Sequence, residues 1–365
     1  MIIYTLEDLP APPKGKTGFP WTTADYAPFP SDFTKNWPKI TIVTPSFNQG
    51  QYIEETIRSV ILQGYPNLEY IVMDGGSTDE TVEMLRKYDK FITFWTSERD
   101  AGQSDAINKG LARATGEVFN WINSDDVLAH NALRQLATVF QKNPDAHAVC
   151  GYYFFMGENV QSTQKQRLLL FDDLEKTLTL GSMSQPSLFW KMDTVRQLKA
   201  VNQHLNYTMD WEMWHRFWLV TNAPKVVLIE AVLAHFRWHD TSKTVSAATG
   251  FHGEQMNLLG LIIKKFPTPF HRYAKEIDKK TPPQYLAQNQ DIYDHAHHFW
   301  QFNRLNPTKY TAYALEYVAN ELWNRLDRQT FWRLLGQSFW LKPFGRGHRF
   351  YLLPLIILKR KFVLK

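Results

Sequence analysis

An α/β fold built on a mostly parallel sheet flanked by helices is predicted for this chain by three observations. From residue 40 onward, short runs rich in β-branched residues alternate with stretches of helical periodicity, the texture of strands joined by crossover helices. Two of those runs stop on carboxylates, "EYIVMD" at Asp74 and "EVFNWINSDD" at Asp125 and Asp126. Parallel strands point their carboxyl ends the same way, so these acids are expected to converge on one crevice at the sheet edge, where α/β proteins place ligands.

The elements follow in order. Residues 1–38 carry seven prolines with scattered aromatics, which forbids long helices and reads as an extended arm, with Phe19, Trp21 and Phe33 available to wrap it on the body. "KGKTG" in this arm ends like a phosphate-binding loop, but the first glycine is missing and no strand precedes it. "ITIVTP" is a strand stopped by Pro45, and "QYIEETIRSVILQG" is a helix with Ile53, Ile57, Val60 and Ile61 on one stripe. After the strand ending at Asp74, "GGSTDETVEML" turns into a helix in which Ser77 and Glu80 have capping-box spacing. "FITFWTSE" is a third strand, "QSDAINKGLARATG" a helix, the run ending at Asp126 a fourth strand, and "AHAVCGYYFF" a fifth. No repeat and no dinucleotide fingerprint occurs.

Two adjacent carboxylates at a strand end repel unless something cationic lies between them, and a divalent ion with oxygen ligands would serve. Capping of the following helix is the alternative. With Asp74 arriving at the same edge, a metal-dependent nucleotide site becomes the better reading of the set. Asp74 can accept hydrogen bonds from a base edge, and Gly75 and Gly76 let the backbone close over a nucleoside. Asp105 and Lys109 have the spacing of a helical ion pair, so a structural role stands beside ligand contact there.

Composition narrows the class. A single cysteine, Cys150, rules out an internal disulfide and fits a reducing compartment, the cytoplasm. With 41 basic and 36 acidic residues the charge is too balanced to point to nucleic acid. The 13 tryptophans exceed what a core needs and leave some for stacking or for a membrane interface. No secretory leader and no apolar run of about 18 residues is seen, so the chain is expected not to span a bilayer.

The stretches "ITIVTPSFNQGQYIEETIRSVILQGYPNLEYIVMDGGSTDET", "SERDAGQSDAINKGLARATGE" and "NWINSDD" together resemble the family 2 glycosyltransferases of GT-A fold, of bacterial polysaccharide and cell-envelope type. The likeness is dense over residues 39–150 and looser to about 245. It implies an inverting enzyme, a nucleotide-diphosphate sugar, first of all a UDP-sugar, as donor, and a divalent metal, Mn or Mg. By the same resemblance Pro45 and Asn48 belong to the first nucleotide-binding loop, Asp74 to the acid that meets the base, and Asp100 and Asp105 to the donor loop and helix. Asn123, Asp125 and Asp126 fall on the metal and donor motif, with Asn123 standing where an acid is usual and Gly75 departing from the common D-D-G-S. In "YTMDWEMWHRFWL" Asp210 matches the acid that serves as general base, while Met209 replaces the usual Glu. A helix-start acid is the plain alternative for Asp210. Glu212 is its competitor as base, about 200° round the helix.

Beyond residue 150, "GSMSQPSLFW" resembles the family's acceptor-side loop, with a buried turn as the equal alternative. "LAHFRWHDTSKT" alternates His235, Arg237 and His239 as a strand would, which puts all three on one side and suggests pyrophosphate contact through Arg237. His239 is either a further metal ligand or a hydrogen-bonded structural residue. Asp291, His295 and His298 read as a polar helix surface rather than a zinc site. The expected organisation is an arm over 1–38, a GT-A domain over 39–249 with a nucleotide-sugar half to 150 and an acceptor half after it, and a helical region over 250–365. Its tail mixes Trp340, Phe344, Phe350 and Tyr351 with Lys342, Arg346, Arg349, Lys359, Arg360, Lys361 and Lys365, suited to an anionic membrane surface or to packing on the core. The expected activity is sugar transfer to a glycan or lipid-linked acceptor. The rivals are a non-catalytic sugar-nucleotide or membrane-surface binder and, less well supported, a nucleotidyltransferase, for which "TPSFNQGQ" lacks the basic residues that would grip a triphosphate.

Overall fold

A computed structural model describes residues 3–24, 37–157, 164–287, 302–324 and 327–341. Four parallel strands carry the first half of the sheet: β1 (Ile40–Ser46), β2 (Leu68–Asp74), β3 (Phe94–Ser97) and β4 (Val118–Trp121). They are joined by α1 (Gly50–Ile61), α2 (Thr81–Lys87) and α3 (Gln103–Arg113). β1 is buried along its whole length, as a central strand covered on both faces must be. Next come β5 (Val127–Leu128), α4 (Ala132–Lys142), β6 (Ala148–Met156), α5 (Leu174–Leu180), β7 (Leu188–Lys191), α6 (Met192–Leu198), α7 (Met209–Val220) and β8 (Val226–Arg237). The described strands form one eight-stranded sheet in the order β3-β2-β1-β4-β7-β6-β8-β5. β7 runs antiparallel to β4 and β6, and β5 antiparallel to β8, whereas β6 and β8 are parallel.

Glu69 fixes the register of the parallel half. It accepts hydrogen bonds from Lys39 Nζ at 2.7 Å, Thr41 Oγ1 at 2.6 Å and both the amide and hydroxyl of Thr115, so one carboxylate ties β2 to β1 and to the approach to β4. Burial opposes its charge, but these donors outweigh it and hold the group down at about 2.

After β8 come α8 (Lys243–Ser246), α9 (Ala248–Ile263), α10 (His271–Asp278), α11 (Pro283–Leu286), α12 (Pro307–Asn324) and α13 (Arg328–Leu341). The chain divides into two compact units. One comprises Met1–Leu170, Gly181–Gln255 and Pro283–Gln301, and the other Phe171–Leu180, Met256–Pro282 and Phe302–Lys365. The elements described in the second unit are all helices. In it α12 packs on α13, α5 and α10, burying Tyr310, Leu315, Val318 and Leu334. No described helix is long and apolar enough to cross a membrane. Of the basic aromatic tail only Trp340 is described, and it is exposed; the remainder, like Phe33 and the segment holding Asp291, His295 and His298, lies outside the described residues.

The proline-rich arm is held by a cation. Arg58 sits on α1 beside the apolar stripe and is 1% exposed. Its guanidinium donates to the carbonyls of Pro10, Pro20 and Trp21 at 2.8–3.0 Å and to the Tyr88 hydroxyl, and it lies 5.3 Å from the Trp21 ring centroid. Glu54, which accepts from Tyr88 and pairs with Lys87, places a counter-charge in the same cluster. A buried charge is tolerated only when its donors are satisfied, and an arm of prolines offers carbonyls without competing amides. Arg58→Met should therefore lower the unfolding free energy by about 3 kcal/mol, since several hydrogen bonds to a charged group are lost together. Urea denaturation checks this, and a change below about 1 kcal/mol would show that the arm is held by its apolar contacts.

Candidate active site

A cleft of about 770 Å³ opens where β1, β2 and β4 end. Pro45, Ser46, Phe47 and Gln49 line it from the loop after β1, and Gly75 from the loop after β2. Asp74 itself is 2% exposed and turned into that loop. Its carboxylate accepts from the amides of Gly76 and Ser77 and from the hydroxyls of Ser77 and Ser97. Gly76 has φ +82°, a conformation only glycine adopts freely. Asn48, also left-handed at φ 51°, accepts from the Thr78 amide and donates its own amide to Ser77, tying the first loop to the second. Ser77 thus serves Asp74 and Asn48 rather than a capping box, and α2 begins only at Thr81.

Asp100 lines the cleft against Gly75, where a Cβ would stand 2.8 Å from its carboxylate oxygen. The Gly102 amide donates to it. Asp105, paired with Lys109 at 2.8 Å, accepts from the Ala101 amide and so braces the same turn without lining the cleft.

The turn after β4 separates the two neighbouring acids. Asp125 lines the cleft and lies 2.9 Å from His239 Nε2. Asp126 is 1% exposed and faces inward, accepting from the Arg237 amide at 2.9 Å and from Asn123 Nδ2 at 3.2 Å, while Thr56 donates to its carbonyl. Burial and then the Asp125 charge push its carboxyl well above the usual range. The expectation that both acids share one cation is therefore corrected. Adjacent residues of a tight turn point to opposite sides, and Asp126 is spent on holding the backbone. Asn123 lines the cleft and accepts from Gln103 Nε2.

Arg237 is a second correction. The alternation along β8 places Phe236 and Trp238 on the cleft, so Arg237 points the other way, pairing with Glu55 at 2.9 Å and donating to the Asp125 carbonyl beneath the Tyr52 ring. His235, on that same face, stacks on Phe154. His239 lies just past the strand end and is free of this parity. Its Nδ1 is 2.9 Å from the Thr241 hydroxyl, which fixes the ring.

Asp210 lines the cleft at the start of α7. Burial lifts its carboxyl from an ordinary 3.8 to about 6, the Glu254 charge adding to this and the Trp211 amide opposing it. Glu254 accepts from the amides of Asn206, Tyr207 and Thr208 and from the Thr208 hydroxyl, so it fixes the loop that leads into α7. Glu212 is fully buried and paired with Arg216 at 2.7 Å, away from the cleft. Met183, Gln185 and Pro186 of the "GSMSQPSLFW" loop line the cleft, as do Tyr153, Phe155, Phe236 and Trp238, whose rings interlock edge to face. Lys243 lines it too, a cation that the sequence patterns pass over because it falls outside the alternation of His235, Arg237 and His239.

Comparison with known proteins bears on this geometry. The sequence profile of glycosyl transferase family 2 matches residues 41–200. Residues 41–200 are a family 2 glycosyltransferase domain. An uncharacterized glycosyltransferase of Rickettsia typhi is 28% identical over 222 residues, which are 58% of this chain and 67% of that protein. The glycosyltransferase GlyG of Streptococcus pneumoniae is 32% identical over 123 residues, 33% of this chain and 40% of that protein. Among solved structures, S. aureus TarS 1-349 superposes with a TM-score of 0.50 at 16% identity, covering 85% of this chain and 93% of that one. The glycosyltransferase domain thus has the GT-A fold expected from its sequence.

The divalent metal implied by the family can be tested on the donors present. Asp125 and His239 offer a carboxylate oxygen and an imidazole nitrogen 2.9 Å apart. That is about the spacing of adjacent ligands on an octahedral ion with bonds of roughly 2.1 Å. Among the described residues no third His, Cys, Asp or Glu completes a cluster with them. The two groups are hydrogen-bonded to each other at that distance, so to hold an ion they would give up that bond, and the remaining ligands would come from substrate phosphates and water.

If Asp126 holds the turn and Asp125 serves the cleft, the two should separate in denaturation experiments. Asp126→Ala should cost about 2 kcal/mol or more, because the Arg237 amide and Asn123 lose their acceptor in a buried place. Asp125→Ala should stay within about 1 kcal/mol of the parent. Equal losses in urea unfolding would mean that the turn does not depend on Asp126.

Proposed function

We propose that the chain is an inverting glycosyltransferase that moves a sugar from a nucleotide-diphosphate sugar to a hydroxyl of a glycan or lipid-linked acceptor, a UDP-sugar being the first donor to test. The observation that carries this reading is Asp210, a carboxyl lifted to about 6 on the same cleft that Asp125 lines, with His239 2.9 Å from that second acid. A base whose pKa lies near the working pH combines availability with proton-accepting strength.

In this mechanism the nucleoside lies along Pro45 and Gly75, on loops that Asn48, Asp74 and Gly76 hold in shape. Asp100 faces the donor, positioned by Gly102 and by the Asp105–Ala101 contact. The acceptor approaches along Tyr153, Phe155, Phe236 and Trp238, since aromatic rings give a sugar an apolar surface to lie on. Asp210 takes the acceptor's hydroxyl proton as its oxygen attacks the anomeric carbon. The bond from that carbon to the diphosphate oxygen breaks, and the electron pair leaves with the nucleoside diphosphate. A single displacement of this kind inverts the anomeric centre. A metal ion held by Asp125 and His239 would offset the charge of the diphosphate.

Asp210→Asn should lower transfer by about 10² to 10⁴ while nucleoside diphosphate binding stays near that of the parent. Because the base works deprotonated, kcat/KM in the parent should fall as pH drops through about 6 and level off above it, a limb that Asp210→Asn should lack. Steady-state rates against pH decide this, and an unchanged rate in the variant would favour a sugar-nucleotide binding protein or another base. Chelation by EDTA should suppress transfer and Mn²⁺ restore it, with Asp125→Asn and His239→Ala blunting the restoration. Full turnover in excess EDTA would remove the metal from this reading.

A further inference from the structure

The cleft has an excess of negative charge for a site that would receive a diphosphate. Asp100, Asp125 and Asp210 line it, and Glu254 stands behind Asp210. Of the basic residues nearby, Arg237 is paired with Glu55 and Lys109 with Asp105. Arg99 and Lys243 line the cleft itself.

Lys243 is held in an unusual way. Its ammonium donates to Gln103 Oε1 at 2.9 Å and lies 3.3 Å from the Asn206 carbonyl, both neutral oxygens. Among the described residues no carboxylate comes within salt-bridge distance of it, although Glu254, Asp100 and Asp125 all act on its charge from farther away. An ammonium has three donors, so one remains for a ligand. Burial lowers its pKa, and an arriving anion would reverse that effect. Its anchors place it between the two ends of the reaction. Gln103 also donates to Asn123, two residues from Asp125, and Asn206 belongs to the loop that Glu254 fixes ahead of Asp210.

We infer that Lys243 is the cation that receives the donor's diphosphate and faces the charge released on it, an assignment that rests on the nucleotide-sugar reading proposed above. When the bond to the anomeric carbon breaks, its electron pair stays on the diphosphate oxygen and the acceptor's proton goes to Asp210. The leaving group gains one negative charge. A fixed ammonium aimed at that charge stabilises the transition state more than the bound donor, because the charge grows as the bond lengthens.

The test uses the full chain with UDP, GDP, CDP and ADP, and with the matching nucleosides as controls, titrated calorimetrically in Mn²⁺ buffer. Lys243→Met should weaken the tightest nucleoside diphosphate at least tenfold and leave its nucleoside unchanged, while Lys243→Arg should recover most of the loss. Unchanged diphosphate affinity in Lys243→Met overturns the assignment. So does an equal loss for nucleoside and diphosphate, which would mark a structural role, or a loss seen only in Arg99→Met. A parent protein that binds none of the four diphosphates overturns the nucleotide-sugar reading, and the assignment falls with it.

Discussion

The buried carboxylate of Asp126 joins three parts of the chain that lie far apart in sequence. It accepts from the backbone of Arg237 at the end of β8 and from Asn123 at the end of β4, and its own carbonyl accepts from Thr56 on α1. Each donor would be costly to leave unpaired in the interior, so the three parts are held in one arrangement. The position of Asp125 follows from this. With Asp126 turned inward, its neighbour is directed to the cleft, and His239, two residues past the pinned Arg237, reaches that neighbour's carboxylate. A pair of acids that looks in sequence like one ligand set is a support and a ligand side by side.

The start of α7 is built on a comparable division. Glu254 satisfies three consecutive amides ahead of the helix, and the helix then presents Asp210 to the cleft. Its charge also makes ionisation of Asp210 harder. Placing one carboxylate near another is unfavourable for stability, and such conflicts are tolerated where a perturbed pKa is useful. Glu212, two residues on, has its charge offset by Arg216 and contributes nothing to the cleft.

Strand ends and helix stripes are legible in the sequence because each depends on local periodicity and on the shared direction of parallel strands, whereas of the three acids expected to converge at the sheet edge only Asp125 lines the cleft. Ile53, Ile57, Val60 and Ile61 are buried as their spacing requires. The burial of Arg58 is not legible, since it depends on carbonyls supplied by an arm far upstream in the chain. The side of the sheet to which Arg237 points is misread because alternation gives parity without saying which face is the cleft. Lys243 escapes notice for a related reason: a lone lysine after a strand has no pattern, and its meaning comes from Gln103 and Asn206, distant in sequence. That α5 joins α10, α12 and α13 in a separate unit also depends on contacts that no local signal announces.

The two walls of the cleft differ in chemistry because the two halves of the sheet differ in construction. On the parallel half, strands end in loops whose backbones and carboxylates face the opening, so that wall is polar. On the other half β6 and β8 run past the opening as strands, so what they offer is side chains. The register between them shifts around Gly151 and Tyr152, and a Cβ at Gly151 would stand 2.6 Å from the Ala231 carbonyl. An irregularity of this kind re-aims the residues after it. Past it, Tyr153 and Phe155 line the cleft together with Phe236 and Trp238, while His235 and Arg237 face away. The close backbone approach at this glycine thus coincides with the point where the register changes, and beyond it both strands turn aromatic side chains to the cleft.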